Sequence, residues 1–248
     1  MKNYFLYTIF FFYTAVSAQE DVITTDRPDQ TETADIVPKG HFQAEIGFVH
    51  QRESEDSEEF SLPSTLWKYG VNNIFEIRVI TEYAYNKETD SIARGFKPVI
   101  AGVKMNLWHE NGILPETSII MQVEIPKLAS KDFKAQYLAP DIRLLFQNTV
   151  NDKIDIGYNA GAIWDSETGR PTYEYTISPN IKVSDKMKVF FESFAYLLPH
   201  ERPDHWIDAG LMFLLTKNIQ LDVAGGYELS AHNHYHGYYE TIGLSLRI

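Results

Sequence analysis

The chain contains no cysteine among its 248 residues. That excludes disulfides, thiolate metal sites, a cysteine nucleophile and a lipid-modified N-terminal cysteine. Basic residues are the minority, 22 Lys and Arg against 34 Asp and Glu, for a net charge of -12. Nucleic acid is thereby excluded as a partner, because binding it requires a basic face. Past the N-terminal stretch, no apolar run approaches the ~20 residues that a membrane-spanning helix needs. Also absent are Gly-x-Ser-x-Gly, a phosphate-binding loop, His-Glu-x-x-His and a dinucleotide fingerprint, so no enzyme signature and no cofactor is expected. Aromatic residues, by contrast, are plentiful, with 15 Tyr, 15 Phe and 4 Trp. They favour strands and supply the girdles of membrane barrels.

Three regions follow from the order of residues. Lys2, an apolar run from Phe5 to Tyr13, and the small residues Val16-Ser17-Ala18 before Gln19-Glu20-Asp21 have the layout of a secretory signal peptide. Residues 1–18 are therefore expected to be removed on export. Residues 19–40 are acidic and poor in apolar side chains, and are expected to form a periplasmic segment able to fold into a pore mouth. Residues 41–248 change character altogether.

From His41 onward, segments of about ten residues alternate apolar and polar, with turn residues between them. Phe42, Ala44, Ile46 and Phe48 share a face opposite Gln43, Glu45 and Gly47. Phe75, Ile77 and Val79 oppose Glu76 and Arg78, and Val103, Met105 and Leu107 oppose Lys104 and Asn106. The pattern continues to Ile242, Leu244 and Leu246 opposite Gly243, Ser245 and Arg247, with a weaker segment from Phe60 to Tyr69. Connections alternate in length. Asn151-Asp152-Lys153, Ser184-Asp185-Lys186 and Thr216-Lys217-Asn218 are short, whereas Glu53 to Glu59, Asn86 to Gly95 and Asp165 to Pro171 are longer. His109 to Pro115 is longer than its class. Short turns on one rim and long loops on the other indicate an all-β fold, an antiparallel up-and-down transmembrane β-barrel of about 12 strands. A soluble sandwich would alternate too, but its strands average only ~5–6 residues.

Thr25-Asp26-Arg27-Pro28-Asp29-Gln30-Thr31-Glu32-Thr33 and Val37-Pro38-Lys39-Gly40-His41-Phe42-Gln43-Ala44-Glu45-Ile46-Gly47-Phe48 resemble the start of the MetA-like family, named for the meta-pathway of phenol degradation. That resemblance implies an outer-membrane β-barrel transporter for small, aromatic or hydrophobic, compounds. Its partners would be outer-membrane lipid, a small-molecule solute and the barrel-assembly machinery. The last strand ends Leu246-Arg247-Ile248, rather than on an aromatic residue.

If the polar faces point inward, they place charge in a lumen. The pore candidates are Arg27, Glu45, Glu76, Arg78, Lys104, Glu124, Asp141, Arg143, Asp155, Glu192 and Asp222. Charges this numerous must be hydrated or paired, so they line a wet channel or form a salt-bridged filling. Asp26 and Asp29 flank Arg27, which is expected to pair with lumenal carboxylates. His232, His234 and His236 alternate on a long loop and are candidate metal ligands. Trp67, Trp108, Trp164 and Trp206 suit interfacial belts or, where inward, a stacking path for a ring. The expected activity is passive passage of small molecules through the barrel. The alternatives are a non-conducting surface barrel with binding loops, and a membrane-embedded hydrolase.

Overall fold

A computed structural model describes residues 22–230 and 235–248. Thirteen strand segments follow one another: β1 (Phe42–Ser54), β2 (Ser57–Asn72), β3 (Phe75–Glu88), β4 (Ser91–Phe96), β5 (Val99–Trp108), β6 (Glu116–Ile125), β7 (Ala139–Asn151), β8 (Ile154–Trp164), β9 (Pro171–Ser184), β10 (Met187–Leu197), β11 (Asp204–Thr216), β12 (Ile219–Glu228) and β13 (Tyr238–Arg247). Each pairs antiparallel with its neighbours. β1 meets β13 and β2 meets β3, which closes the sheet. β4 and β5 share β3 as a partner, one along each half of it. The ring is therefore twelve strands round. No helix of the described residues is long and apolar enough to cross a membrane.

Period-2 patterning is what folds each segment, since a pleated strand presents alternate residues to opposite sides. On β3, Glu76 and Arg78 are 0% and 1% exposed, whereas Ile77 between them is 45% exposed. Leu144, Phe191, Leu211 and Ile242 likewise lie on the outside. The apolar face points out and the charged face in, the reverse of a soluble sandwich and the arrangement of a membrane barrel.

The short connections are closed by side chains. Asn72 Oδ1 accepts from the Ile74 amide at 2.9 Å, Asn151 Oδ1 from Lys153 at 2.9 Å, Ser184 Oγ from Lys186 at 3.3 Å and Thr216 Oγ1 from Asn218 at 3.2 Å. Each mimics a backbone turn two residues long. All four lie on one rim, the turn end. The longer β5–β6 connection, also at that end, is tied by an Asn111–Leu114 bridge.

At the opposite rim, two expected loops prove to be strand. The chain from Asn86 to Gly95 continues β3 and returns as β4, and the Glu53–Glu59 stretch narrows to a tight hairpin between β1 and β2. Cross-strand hydrogen bonds between main-chain amides and carbonyls make both, in sequence with little apolar alternation. Two 3-10 turns, Pro126–Leu128 and Lys131–Phe133, fill the β6–β7 loop beside β4.

Candidate functional site

Residues 22–40 enter the lumen from the turn end. The Ile23 amide bonds to the Lys217 carbonyl at 2.8 Å, and the Gly40 amide to the Gly70 carbonyl at 2.7 Å. Between those anchors the segment makes no strand of its own. An unpaired backbone in a confined space needs partners for its amides, and inward side chains of the barrel supply several of them. Glu45 Oε2 accepts from the amides of Asp26 and Arg27 at 2.9 and 3.0 Å. Glu192 Oε2 accepts from Gln30 at 2.8 Å, Asn159 Oδ1 from Glu32 at 2.7 Å, and Glu76 Oε2 from Val37 at 2.7 Å.

Asp26 gathers three cations around its carboxylate. Its carboxylate lies 2.8 Å from Lys68 Nζ, 3.0 Å from Arg78 Nη1 and 2.9 Å from Lys104 Nζ. These cations come from β2, β3 and β5, neighbours in the ring. Burial opposes ionisation of Asp26, but Lys104, Lys68 and Arg78 outweigh it and hold the carboxyl well below the usual carboxylate range. Two wall carboxylates share the cations, Glu45 at 2.6 Å from Lys68 and Glu76 at 3.4 Å from Arg78. Glu32 of the segment adds a two-pronged contact to Arg78 Nη2 at 2.7 and 2.8 Å.

Arg27, the next residue, turns the other way. Its Nη2 is 3.0 Å from Asp222 Oδ1 and 2.7 Å from Thr241 Oγ1. The guanidinium lies in a slot made by Gly47 and Gly243, which face one another across β1 and β13. A Cβ on either glycine would collide with it, so the slot exists because both positions lack a side chain. Nearby, Thr31 Oγ1 donates to Glu192 at 2.5 Å, and Ser178 Oγ donates to Asp29 at 2.8 Å. Ala34 packs on Ile120 and Leu145, two apolar residues on the wet face.

Arg27, Glu45, Glu76, Arg78, Lys104, Glu192 and Asp222 thus converge on the segment. Asp141 and Arg143 pair with each other at 2.8 Å, and Arg143 also reaches Glu174 at 2.8 Å. Asp155 lines the turn-end cavity. Glu124 stands apart, half-buried on β6. Of the three histidines on the long loop, His232 and His234 lie outside the described residues. His236 places Nδ1 2.9 Å from the Glu228 carbonyl oxygen and stacks on Tyr227. Sequence reasoning omitted Lys68 altogether. Its strand was read as weak because the β2 register shifts between Ser61 and Ser64.

A cavity of about 460 Å³ opens on the loop side of the segment, with Gln30 among its lining residues. Its wall includes Phe194, Tyr196, Trp206 and Tyr239. Phe194 and Trp206 stack with centroids 6.0 Å apart. Trp206 therefore faces the lumen rather than a lipid belt, whereas Trp67 and Trp108 are exposed on the outside. A second cavity, about 240 Å³, lies on the turn side. Among its lining residues are Thr25, Asp29, Asp155, Lys182 and Gln220.

The fold is similar to that of the COG4313 outer membrane channel from Pseudomonas putida F1, with a TM-score of 0.69 over 87% of this chain and 98% of that one at 9% identity. The NanC porin aligns with a TM-score of 0.58 over 82% of this chain and 98% of its own, at 10% identity. The KdgM porin in complex with disordered oligogalacturonate gives 0.56 over the same shares at 12% identity. No curated protein matches the chain by sequence. Residues 25–248 match the profile of the family described as "Putative MetA-pathway of phenol degradation", and the chain belongs to that family.

Proposed function

We propose that the protein is an outer-membrane channel for passive passage of small molecules, closed at rest by residues 22–40. The supporting observation is an apolar outer wall around a charged lumen that holds a cavity on each side of one short segment. A barrel built only for rigidity can fill its interior with wall side chains. Here the filling belongs to a segment anchored at Gly40, and is held largely by polar contacts that water can replace. The turn end, where the segment enters, corresponds to the periplasmic rim and the long loops to the cell surface. The protein would reach that membrane by export and would be inserted by the barrel-assembly machinery.

The solute meets the ring-lined cavity first and the charged level second. Purified full-length protein, folded in detergent and reconstituted, is expected to give discrete steps in planar bilayers and to admit small sugars in liposome swelling. Correctly folded protein with neither property would be a non-conducting surface barrel, and the channel reading would fail.

A further inference from the structure

We propose that the charged level of the lumen is a binding site for small zwitterionic solutes, and that Asp26-Arg27 occupies it as a tethered stand-in for the solute. The inference rests on the channel reading above and names its substrate class.

The wall charges are mixed in sign, but two arcs stand out. Lys68, Arg78 and Lys104 stand on β2, β3 and β5, while Glu192, Asp208 and Asp222 stand on β10, β11 and β12. In the order of the ring, β10 is six strands from β3 and β11 is six from β5, so Glu192 and Asp208 stand opposite the basic set, whereas Asp222 on β12 is three strands from Lys68 on β2. Glu192 and Asp208 are direct cross-strand partners. Elsewhere the wall neutralises itself locally, with Arg143 held between Asp141 and Glu174. Glu45 and Glu76 offset part of the basic set, yet three cationic groups still converge within 3.0 Å of a single visiting carboxylate.

The segment reads this separation with two consecutive residues. The Asp26 carboxylate takes the basic wall, and the Arg27 guanidinium takes Asp222 in the glycine slot. One negative and one positive group, separated by the length of a dipeptide, satisfy both walls together. A free molecule with a carboxylate at one end and an ammonium or guanidinium at the other presents the same pair. A simple anion or cation satisfies one wall and leaves the other uncompensated, which is costly in a confined lumen.

Tethering also explains how binding stays compatible with passage. The segment competes at a high effective concentration, so a solute sees a site already filled and binds weakly. A site must be attractive enough to enter and weak enough to leave.

The test uses 4-guanidinobutyrate, a carboxylate and a guanidinium on a flexible chain, with arabinose as a neutral solute of similar size. Folded full-length protein in detergent is titrated calorimetrically with each, and with sodium acetate and guanidinium chloride separately. Saturable binding of 4-guanidinobutyrate is expected, at least about tenfold tighter than either ion alone, as two charge-assisted contacts require. The same compound is expected to raise bilayer conductance, and in Asp222→Asn, where solute and Arg27 lose the same partner, to lose its roughly tenfold preference over sodium acetate. Heat-dependent gel mobility confirms that the variant is folded, and the unmodified protein decides the matter without it. Current in the bilayer with no preference for 4-guanidinobutyrate over arabinose and the single ions overturns this inference and leaves the channel standing. Preferential binding with no current under any condition supports the site and overturns the channel.

Discussion

Replacing Asp26 by alanine tests the closed state most directly. The carboxylate it removes accepts from Lys68, Arg78 and Lys104, and also from the Thr33 amide at 3.1 Å. Removing one partner of a buried ion pair costs about 3–5 kcal/mol, because the other charge is left uncompensated. Here the loss is uneven. Lys68 keeps Glu45 at 2.6 Å and Arg78 keeps Glu32 at 2.7 Å, whereas the remaining carboxylate near Lys104 is Glu32 at 3.8 Å. The lower end of the range, about 3 kcal/mol, is therefore the expected loss. At about 1.4 kcal/mol per decade, it shifts the docking equilibrium of the segment by roughly a hundredfold. The undocked barrel loses no contact by the change, so the penalty falls on the docked state. In bilayers, full-length Asp26→Ala is expected to show a much higher open probability than the unmodified protein, and its N-terminal segment to become accessible to added protease. Asp26→Asn, which keeps the shape but not the charge, is expected to lie between the two. Unchanged conductance and unchanged protease protection in a folded Asp26→Ala barrel would refute the assignment of Asp26 as the anchor.

The remaining predictions probe other contacts. Gly243→Ala places a methyl against the Arg27 guanidinium and is expected to cost docking about 1–3 kcal/mol through overpacking, seen as raised conductance from a barrel with normal heat-dependent mobility. The depressed pKa of Asp26 means that its contribution to docking is complete above the free carboxylate's value near 4 and is lost as pH falls through its own lower value. Asp29 and Glu32 of the same segment are pushed upward by burial. The Asp26 contribution is therefore read as the difference in conductance between the unmodified protein and Asp26→Asn, expected to be constant from about pH 7 to about pH 5 and to close only below about pH 4. Leu144 lies outside among apolar neighbours, so Leu144→Arg is expected to destabilise the barrel in liposomes by about 2–4 kcal/mol in urea titration if it sits at mid-bilayer depth. Brominated lipids are expected to quench Trp67 and Trp108 but not Trp206, read from single-Trp variants, because Trp206 is covered on the lumenal face; quenching of Trp206 would reverse its orientation.

The barrel was legible in sequence because lipid on one side and water on the other impose period 2 on every strand. Ile77 between Glu76 and Arg78 can fit such a wall in only one way. Features that break the period were not legible. Lys68 was hidden by the register shift in β2, and β4 by the absence of alternation in Ser91–Phe96. Ile120 and Leu145 are apolar residues on the wet face, and their reason lies in Ala34, far away in sequence. Entry of residues 22–40 into the pore mouth, with Arg27 paired to lumenal carboxylates, is expected from the sequence, but the order within the segment has no local pattern. Its composition is that of a solvated lead-in, and its structure comes from partners such as Glu192, Asp222 and Thr241, which are 162 to 214 positions away. The Arg27 slot did leave a trace, since Gly47 and Gly243 each stand on the polar face of an alternating strand. That two such glycines would meet depends on the closure of β1 onto β13, which no single segment records.

Closure by charge rather than by grease has a physical consequence for how the segment can leave. A plug seated on apolar contacts would expose a dry surface on withdrawal and would bind again, or aggregate, for the same reason it bound at first. Lys68, Arg78 and Lys104 impose the opposite condition. They are too buried to remain uncompensated, yet the carboxylate of a solute that also satisfies Asp222 can replace Asp26. Docked and undocked lumens are then two neutralised states of one site, separated by a few contacts rather than by refolding of the wall. Such a pair of states can be biased by whatever binds one of them better. A solute carrying the right two charges binds only the undocked state, so its arrival at the site and the opening of the pore become the same event.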